Sequence, residues 1–173
     1  EARTFDSRLF HAADECLGVK TLRFETPPDF NFLPGMWVMV CFPDTPKDCR
    51  AYSIATSPLE KGYVELSMAR VGTLTSRLFA LQPGESVLMR GPYGRWTLDE
   101  RSPHAVMISE GTGLTPFRSM CRYAIDRKLP TRLTILYCAR TKEEQLYRLE
   151  YAQWRRHGID VHAMAGGRVD IGT

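Results

Sequence analysis

The sequence lacks any C-x-x-C spacing, and its five cysteines, Cys16, Cys41, Cys49, Cys121 and Cys138, are an odd number. That argues against a disulfide framework, a zinc site or a cysteine-ligated iron–sulfur cluster. Histidine is scarce, and His11, His104, His157 and His162 show no metal-ligand spacing, so no metal is expected. Long apolar runs are missing too. Stretches such as 37–42 and 133–137 fall far short of the roughly 20 residues a membrane-spanning helix needs, and no secretory signal is visible. Neither membrane insertion nor export is indicated, and a reducing, cytoplasmic compartment is expected. There is no internal repeat, no low-complexity tract and no G-K-[ST] loop for a nucleoside triphosphate.

Charge of one sign is not in excess overall, at +3, but it is unevenly placed. Residues 1–100 hold 11 basic and 13 acidic side chains and residues 101–173 hold 12 and 7, giving −2 and +5. The second half could attract an anion or an acidic partner. It lacks the dense Lys/Arg and aromatic interleaving of a nucleic-acid surface, so no nucleic acid is expected.

What is present divides in two. Up to about residue 98 the pattern is short strands with turn punctuation, near 17–26, 37–42, 50–56, 64–68 and 86–91. In Val64-Glu65-Leu66-Ser67-Met68 apolar and polar residues alternate with period two. Pro34-Gly35 and Pro83-Gly84 supply type II turns. Strands without long helices predict a closed antiparallel barrel. After residue 103 the rhythm changes. Ala105-Val106-Met107-Ile108 has no alternation and reads as a parallel strand buried on both faces. Thr115 with Pro116 predicts the start of a helix that stops at Leu129-Pro130, and 133–137 a second strand. Thr141 with Glu144 reads as a capping box opening a helix to Trp154, and 159–164 as a third strand.

The sharpest local signal is Gly111-Thr112-Gly113-Leu114-Thr115-Pro116 between a buried strand and a helix, where amides and a helix N-terminus can receive a pyrophosphate. Pro116 stands where a full G-x-G-x-x-G would have its third glycine, so alone the loop is a weak sign. The barrel half adds Arg50-Ala51-Tyr52-Ser53, in which an arginine can grip a phosphate, a tyrosine cover a ring and a serine bond a ring nitrogen. It also adds Gly72-Thr73-Leu74-Thr75-Ser76, a second amide nest, with Thr75 otherwise readable as an ordinary N-cap.

Taken in order, these residues resemble the ferredoxin–NADP reductase superfamily. Arg50-x-Tyr52-Ser53 is similar to its R-x-Y-S motif, Gly72-x-x-Thr75 to its pyrophosphate turn and Gly91-Pro92-Tyr93-Gly94 to the close of its flavin domain. The 111–116 loop is similar to its G-T-G-[IL]-[TA]-P loop, 138–141 to its G-A-R-T strand end and 32–38 to its F-x-P-G-Q-[FY]-V strand. The resemblance implies a six-stranded Greek-key barrel over 1–98 that binds FAD, then a partial Rossmann-like parallel α/β domain over 104–173 that binds NAD(P)H.

By the same resemblance Arg50 and the amides around Thr75 hold the flavin diphosphate, and Ala51, Gly72, Leu74 and Ser76 are also cofactor-binding. Tyr52 lies on the isoalloxazine and Ser53 bonds near flavin N5, these two being the catalytic pair. Gly111, Thr112, Gly113, Thr115, Pro116 and Arg140 face the nicotinamide nucleotide. The implied activity is hydride transfer to flavin, with electrons passed on to an acidic ferredoxin, an iron–sulfur protein or an oxygenase component. The rival readings are a flavin-binding relay subunit without its own nicotinamide turnover and a flavin-free interaction module. FAD and FMN are not separated by any readable adenine motif.

The end of the second strand, 138–142, has no acidic residue for a free ribose 2′-hydroxyl, which leans to NADPH, with Arg168 a further candidate. Glu110, before the loop, departs from the family pattern, and its carboxylate would repel a phosphate. Arg118, Arg122, Arg127, Arg148, Arg155 and Arg156 read as a solvated basic face or as a dock for an acidic carrier. Trp96 reads as core, or secondarily as a wall of the flavin or adenine site. The family's last strand and terminal aromatic are not in the sequence, and the chain reads as a fragment.

Overall fold

The computed structural model describes residues 2–166. The first half consists of β1 (Arg3–Cys16), β2 (Val19–Glu25), β3 (Trp37–Cys41), β4 (Arg50–Ser53), β5 (Tyr63–Ala69), α1 (Thr73–Ala80) and β6 (Ser86–Tyr93). All strand pairs are antiparallel, in the order β4-β3-β6-β1-β2-β5. The ring closes where Ile54 bridges Leu66 and the Ala55 N–H donates to the Glu65 carbonyl at 2.8 Å. β1 is the strand that sequence patterning missed, because along its length only Ser7 and Leu9 are buried. It serves both halves of the barrel, pairing β6 through residues 3–8 and β2 from Leu9 onward, with an irregularity at Leu9/His11 that bends it between them.

Leu9, Leu22, Phe24, Val38, Val40, Leu66 and Met89 fill the interior, and Leu74, Leu78 and Leu81 of the α1 segment join the same cluster. The helix is therefore anchored by its apolar face at the barrel, while Gly72 and Thr73 at its N-terminal end are exposed.

The second half consists of β7 (His104–Glu110), a 3₁₀ turn at Gly111–Leu114, α2 (Thr115–Arg127), β8 (Arg132–Ala139), α3 (Tyr151–Arg156) and β9 (Asp160–Ala165). The three strands are parallel, in the order β7-β8-β9. Met107, Leu133, Ile135, Tyr137 and Val161 pack with Phe117, Met120 and Trp154 of the helices. The other face is open: Val106 is 53% and Ile108 45% exposed. The expectation that residues 105–108 are buried on both faces fails, because among the described residues no element covers that side.

Three other expectations are corrected. Thr141 and Glu144 do not open a long helix, and only Tyr151–Arg156 is α-helical here. The Glu144 carboxylate is taken by the Arg140 guanidinium at 2.9 and 3.0 Å, and Tyr147 has φ +56°, which interrupts any continuous helix. Trp96 is 61% exposed rather than core, lying with one face on Phe117 at a ring distance of 5.4 Å. Thr115 is the first helical residue of α2 rather than its cap, since the 3₁₀ turn runs straight into the helix.

The polar half of the β5 alternation does not face water. Val64, Leu66 and Met68 point into the barrel, while Glu65 and Ser67, both at most 5% exposed, point at the α/β domain. Glu65 meets Arg118 of α2 at 2.5 Å, and the Ser67 hydroxyl meets that of Tyr147. Ser119 donates to the Thr56 carbonyl at 2.6 Å across the same seam.

Candidate functional site

β4 and the N-terminal turn of α1 form the two walls of a cleft of about 500 Å³. Arg50, Ala51, Tyr52, Gly72, Leu74, Thr75 and Thr112 line it, with Asp48, Ser67, Met68 and Val71, which sequence reasoning did not single out. β4 is carried by β3, whose Val38 and Val40 lie opposite Tyr52 and Arg50. The Arg50 guanidinium is held by the Asp48 carboxylate and the Cys49 carbonyl, at 2.9 and 2.8 Å, and its side chain remains 64% exposed. Burial pushes the Tyr52 phenol up, against the pull of Arg50, so it presents a neutral ring to the cleft.

On the other wall Gly72 caps α1 and Thr75 is the third helical residue. The Thr75 hydroxyl accepts the N–H groups of Val71 and Gly72, both at 2.9 Å, and donates to the Gly72 carbonyl at 3.0 Å. This fixes the turn. The first-turn N–H groups of a helix have no intrahelical partner, and α1 has no acidic residue there to occupy them. Gly72 has φ −177°, which any residue adopts, and a Cβ built on it meets nothing within 4 Å. Neither the backbone nor the packing calls for glycine at this point, and the space left open is that of the cleft.

A second recess of about 330 Å³ adjoins the first. It is lined by Glu110, Gly111, Thr112, Ala139 and Arg140 at the carboxyl ends of β7 and β8, the customary ligand edge of a parallel sheet, and by Leu17 to Val19 and Ala69 to Val71 of the barrel. The two hollows share Ala69, Val71 and Thr112. Gly111 has φ +54°, a left-handed conformation that suits glycine, and turns the chain into the loop.

Not every residue singled out from sequence reaches these hollows. Ser53 is half-buried in β4 opposite Trp37, Ser76 is exposed one residue beyond Thr75, and neither lines the cleft. Gly113, Thr115 and Pro116 line neither hollow. Thr115 is 2% exposed, and its hydroxyl lies 3.5 Å from that of Tyr147 beneath the loop. Arg140 lines the recess but is not a free cation, being bonded through two nitrogens to Glu144. Arg168 lies outside the described residues.

Of the arginines read as a solvated face, Arg118 is a correction. It is 5% exposed, donates to Glu65 at 2.5 Å and Glu150 at 2.7 Å, and stands over the Tyr147 ring at 4.6 Å. Arg122 joins the network through Glu150 at 3.2 Å and Glu60 at 3.4 Å. Tyr147, which no motif marked, is fully enclosed by it. Burial pushes its phenol up to about 12, although Arg118 opposes this.

A flavin dinucleotide fits this cleft in kind: cationic and N–H donors converge from Arg50 and α1, and Tyr52, Met68, Val71 and Leu74 give apolar cover. No helix among the described residues is long and apolar enough to cross a membrane.

Comparison with known proteins agrees with this division. The family described as "Oxidoreductase FAD-binding domain" matches residues 7–98, and "Oxidoreductase NAD-binding domain" matches 107–165. Ferredoxin–NADP reductase B of Sorangium cellulosum is 35% identical over 87% of this chain and 64% of its own length. The sulfhydrogenase 1 gamma subunit of Pyrococcus furiosus is 34% identical over 72% of this chain and 44% of its own. The crystal structure of the Amycolatopsis cytochrome P450 reductase superposes with a TM-score of 0.83 at 23% identity, over 95% of this chain and 51% of that one. The chain thus spans between 44% and 64% of the length of these proteins. With both domain families matched in order on a six-stranded antiparallel barrel and a parallel sheet, the chain belongs to the ferredoxin–NADP reductase superfamily of FAD- and NAD(P)-binding oxidoreductases.

Proposed function

We propose that this chain is the cofactor-binding part of an NAD(P)H-dependent flavoprotein reductase, with residues 1–98 holding FAD and 104–173 the nicotinamide nucleotide. It passes electrons to a ferredoxin, an iron–sulfur protein or an oxygenase component. The observation that carries the reading is the continuity of the two hollows through Ala69, Val71 and Thr112. Two cofactors that exchange a hydride must touch, and the two hollows share a wall.

Bound together, the cofactors supply hydride transfer from nicotinamide to flavin, and the protein's contribution is positioning. Arg50 and the first-turn amides of α1 bind the flavin diphosphate with charge-assisted hydrogen bonds. Tyr52 covers the ring, with Ser53 behind the β4 wall and Ser76 behind the α1 wall. The 111–116 loop receives the nicotinamide nucleotide, with Thr115 and Pro116 fixing the loop from beneath and Arg140 at its rim. Exposed Arg127, Arg148, Arg155 and Arg156 would steer an acidic carrier.

A second reading, a relay subunit that does not turn over nicotinamide, is favoured by Glu110 lining the recess, where a carboxylate opposes a phosphate. The test is the visible spectrum of the flavin-loaded protein under anaerobic addition of NADPH and then NADH. The flavin bands are expected to bleach with either, and faster with NADPH. Flavin that stays oxidised overturns the reductase reading in favour of the relay. No flavin after reconstitution overturns both.

A further inference from the structure

Two of the five thiols, Cys41 and Cys49, lie close to Arg50 along the chain and the β3–β4 ladder. The β3–β4 ladder ends at Val40 opposite Arg50, and extending that register by one residue sets Cys49, just before β4, opposite Cys41, the last residue of β3. Opposed antiparallel residues have Cα atoms about 4.5 or 5.5 Å apart, inside the roughly 4.4–6.8 Å that a disulfide spans. Both are free thiols. Cys41 is 4% exposed and directs its sulfur toward the Leu88 carbonyl at 3.9 Å. Cys49 is partly exposed and donates to the Pro46 carbonyl at 3.2 Å. Burial, then the contact with Cys49, pushes the Cys41 thiol up to about 11. The outer sulfur therefore meets an oxidant first.

We propose that Cys41 and Cys49 form a reversible dithiol–disulfide pair, oxidised by hydrogen peroxide, that loosens the Arg50 anchor of the cleft. Cys49 Sγ attacks the peroxide, the O–O bond breaks, and a sulfenic acid and one water are formed. Cys41 Sγ then attacks Cys49 Sγ, the S–S bond forms, and a second water leaves. Two thiols lose two electrons and the peroxide gains them.

The link to the cleft is direct, since the Cys49 carbonyl and the Asp48 carboxylate are the two groups that hold the Arg50 guanidinium. The loop over 42–49 also grips α1, through Asp44 and Arg77 at 2.9 Å and the Arg77 guanidinium 3.9 Å from the Phe42 ring. Drawing Cys49 off Pro46 and onto Cys41 moves the groups that aim Arg50. The effect on flavin rests on the function proposed above, whereas formation of the disulfide does not.

The experiment treats the FAD-loaded protein with hydrogen peroxide, alkylates the remaining thiols under denaturing conditions and maps the peptides. Cys41 and Cys49 are expected to be joined, with the other three thiols alkylated and the pair recovered by dithiothreitol. Flavin release should quicken by about tenfold, the equivalent of one charge-assisted hydrogen bond weakened. Cys49→Ser, at the partly exposed position, should abolish both changes without disturbing the core.

Full alkylation of all five thiols, oxidation of Cys49 to the sulfinic acid with Cys41 untouched, or dimers linked only through Cys16 would each overturn the pair. A disulfide that leaves flavin release unchanged would overturn its coupling to Arg50. A disulfide in a chain that never retains flavin would uphold the pair and overturn the function.

Discussion

Replacing Arg118 by methionine removes the charge at the centre of the seam between the domains. The guanidinium donates to Glu65 and Glu150 at 2.5 and 2.7 Å, and the Arg118 and Glu65 side chains are each 6% exposed. Removing one partner of a buried pair leaves the other desolvated and costs about 3–5 kcal/mol. Arg23 still holds Glu65 at 2.6 Å and Arg122 stands 3.7 Å away, which places the loss near the lower end, about 3 kcal/mol. That is a large fraction of the ~5–15 kcal/mol of a folded domain. The double variant Arg118→Met with Glu65→Met removes both charges, and apolar replacement of a whole pair is close to neutral, within about 1 kcal/mol of the parent. Urea denaturation followed by tryptophan fluorescence measures all four proteins. A single Arg118→Met variant within about 1 kcal/mol of the parent, or a double variant as unstable as the sum of the two singles, would refute the view that paired charge holds the seam.

Three further outcomes follow from the geometry. Arg50→Ala should lower flavin affinity by about 10- to 100-fold, the loss of a charge-assisted contact to the diphosphate, with an unchanged far-ultraviolet spectrum. Flavin titration checks it, and undiminished affinity would remove Arg50 from the site. Gly72→Val should fold normally, since the backbone is extended and the space open, yet fill the cleft and block flavin. Retention of flavin would show that the cofactor does not approach this turn.

Acid stability should depend on Glu65. Burial pushes its carboxyl up, but Arg118, Arg23 and Arg122 together hold it below the usual glutamate range. A folded-state pKa below the unfolded value contributes stability that is complete above the unfolded pKa and lost as pH falls through the folded one. Glu65→Gln should therefore be less stable at neutral pH and flatten the stability curve below about pH 4.3. Parallel curves for the two proteins would count against the assignment.

The turn and loop chemistry of the site was legible because it is local. Gly72 before a helix, Gly111 at a positive φ and Arg50 to Ser53 on one strand depend on neighbours within a few residues, and all lie in or beside the hollows. The local reading failed at Thr141 and Glu144. A capping box and an Arg140–Glu144 pair compete for the same carboxylate, and spacing alone does not say which prevails. β1 was missed because a strand exposed along most of its length carries little periodic signal.

What the sequence determined by itself was the division into barrel and parallel sheet and the order of the turns that line the two hollows. Period-two alternation in β5 reported that its two faces differ; it could not report that the second domain covers the polar one. Arg118 meets Glu65 across 53 residues of chain, and Ser67 meets Tyr147 across 80. Only the tertiary structure decides such meetings, because desolvation and charge pairing depend on what is packed opposite a side chain, and no local pattern records that.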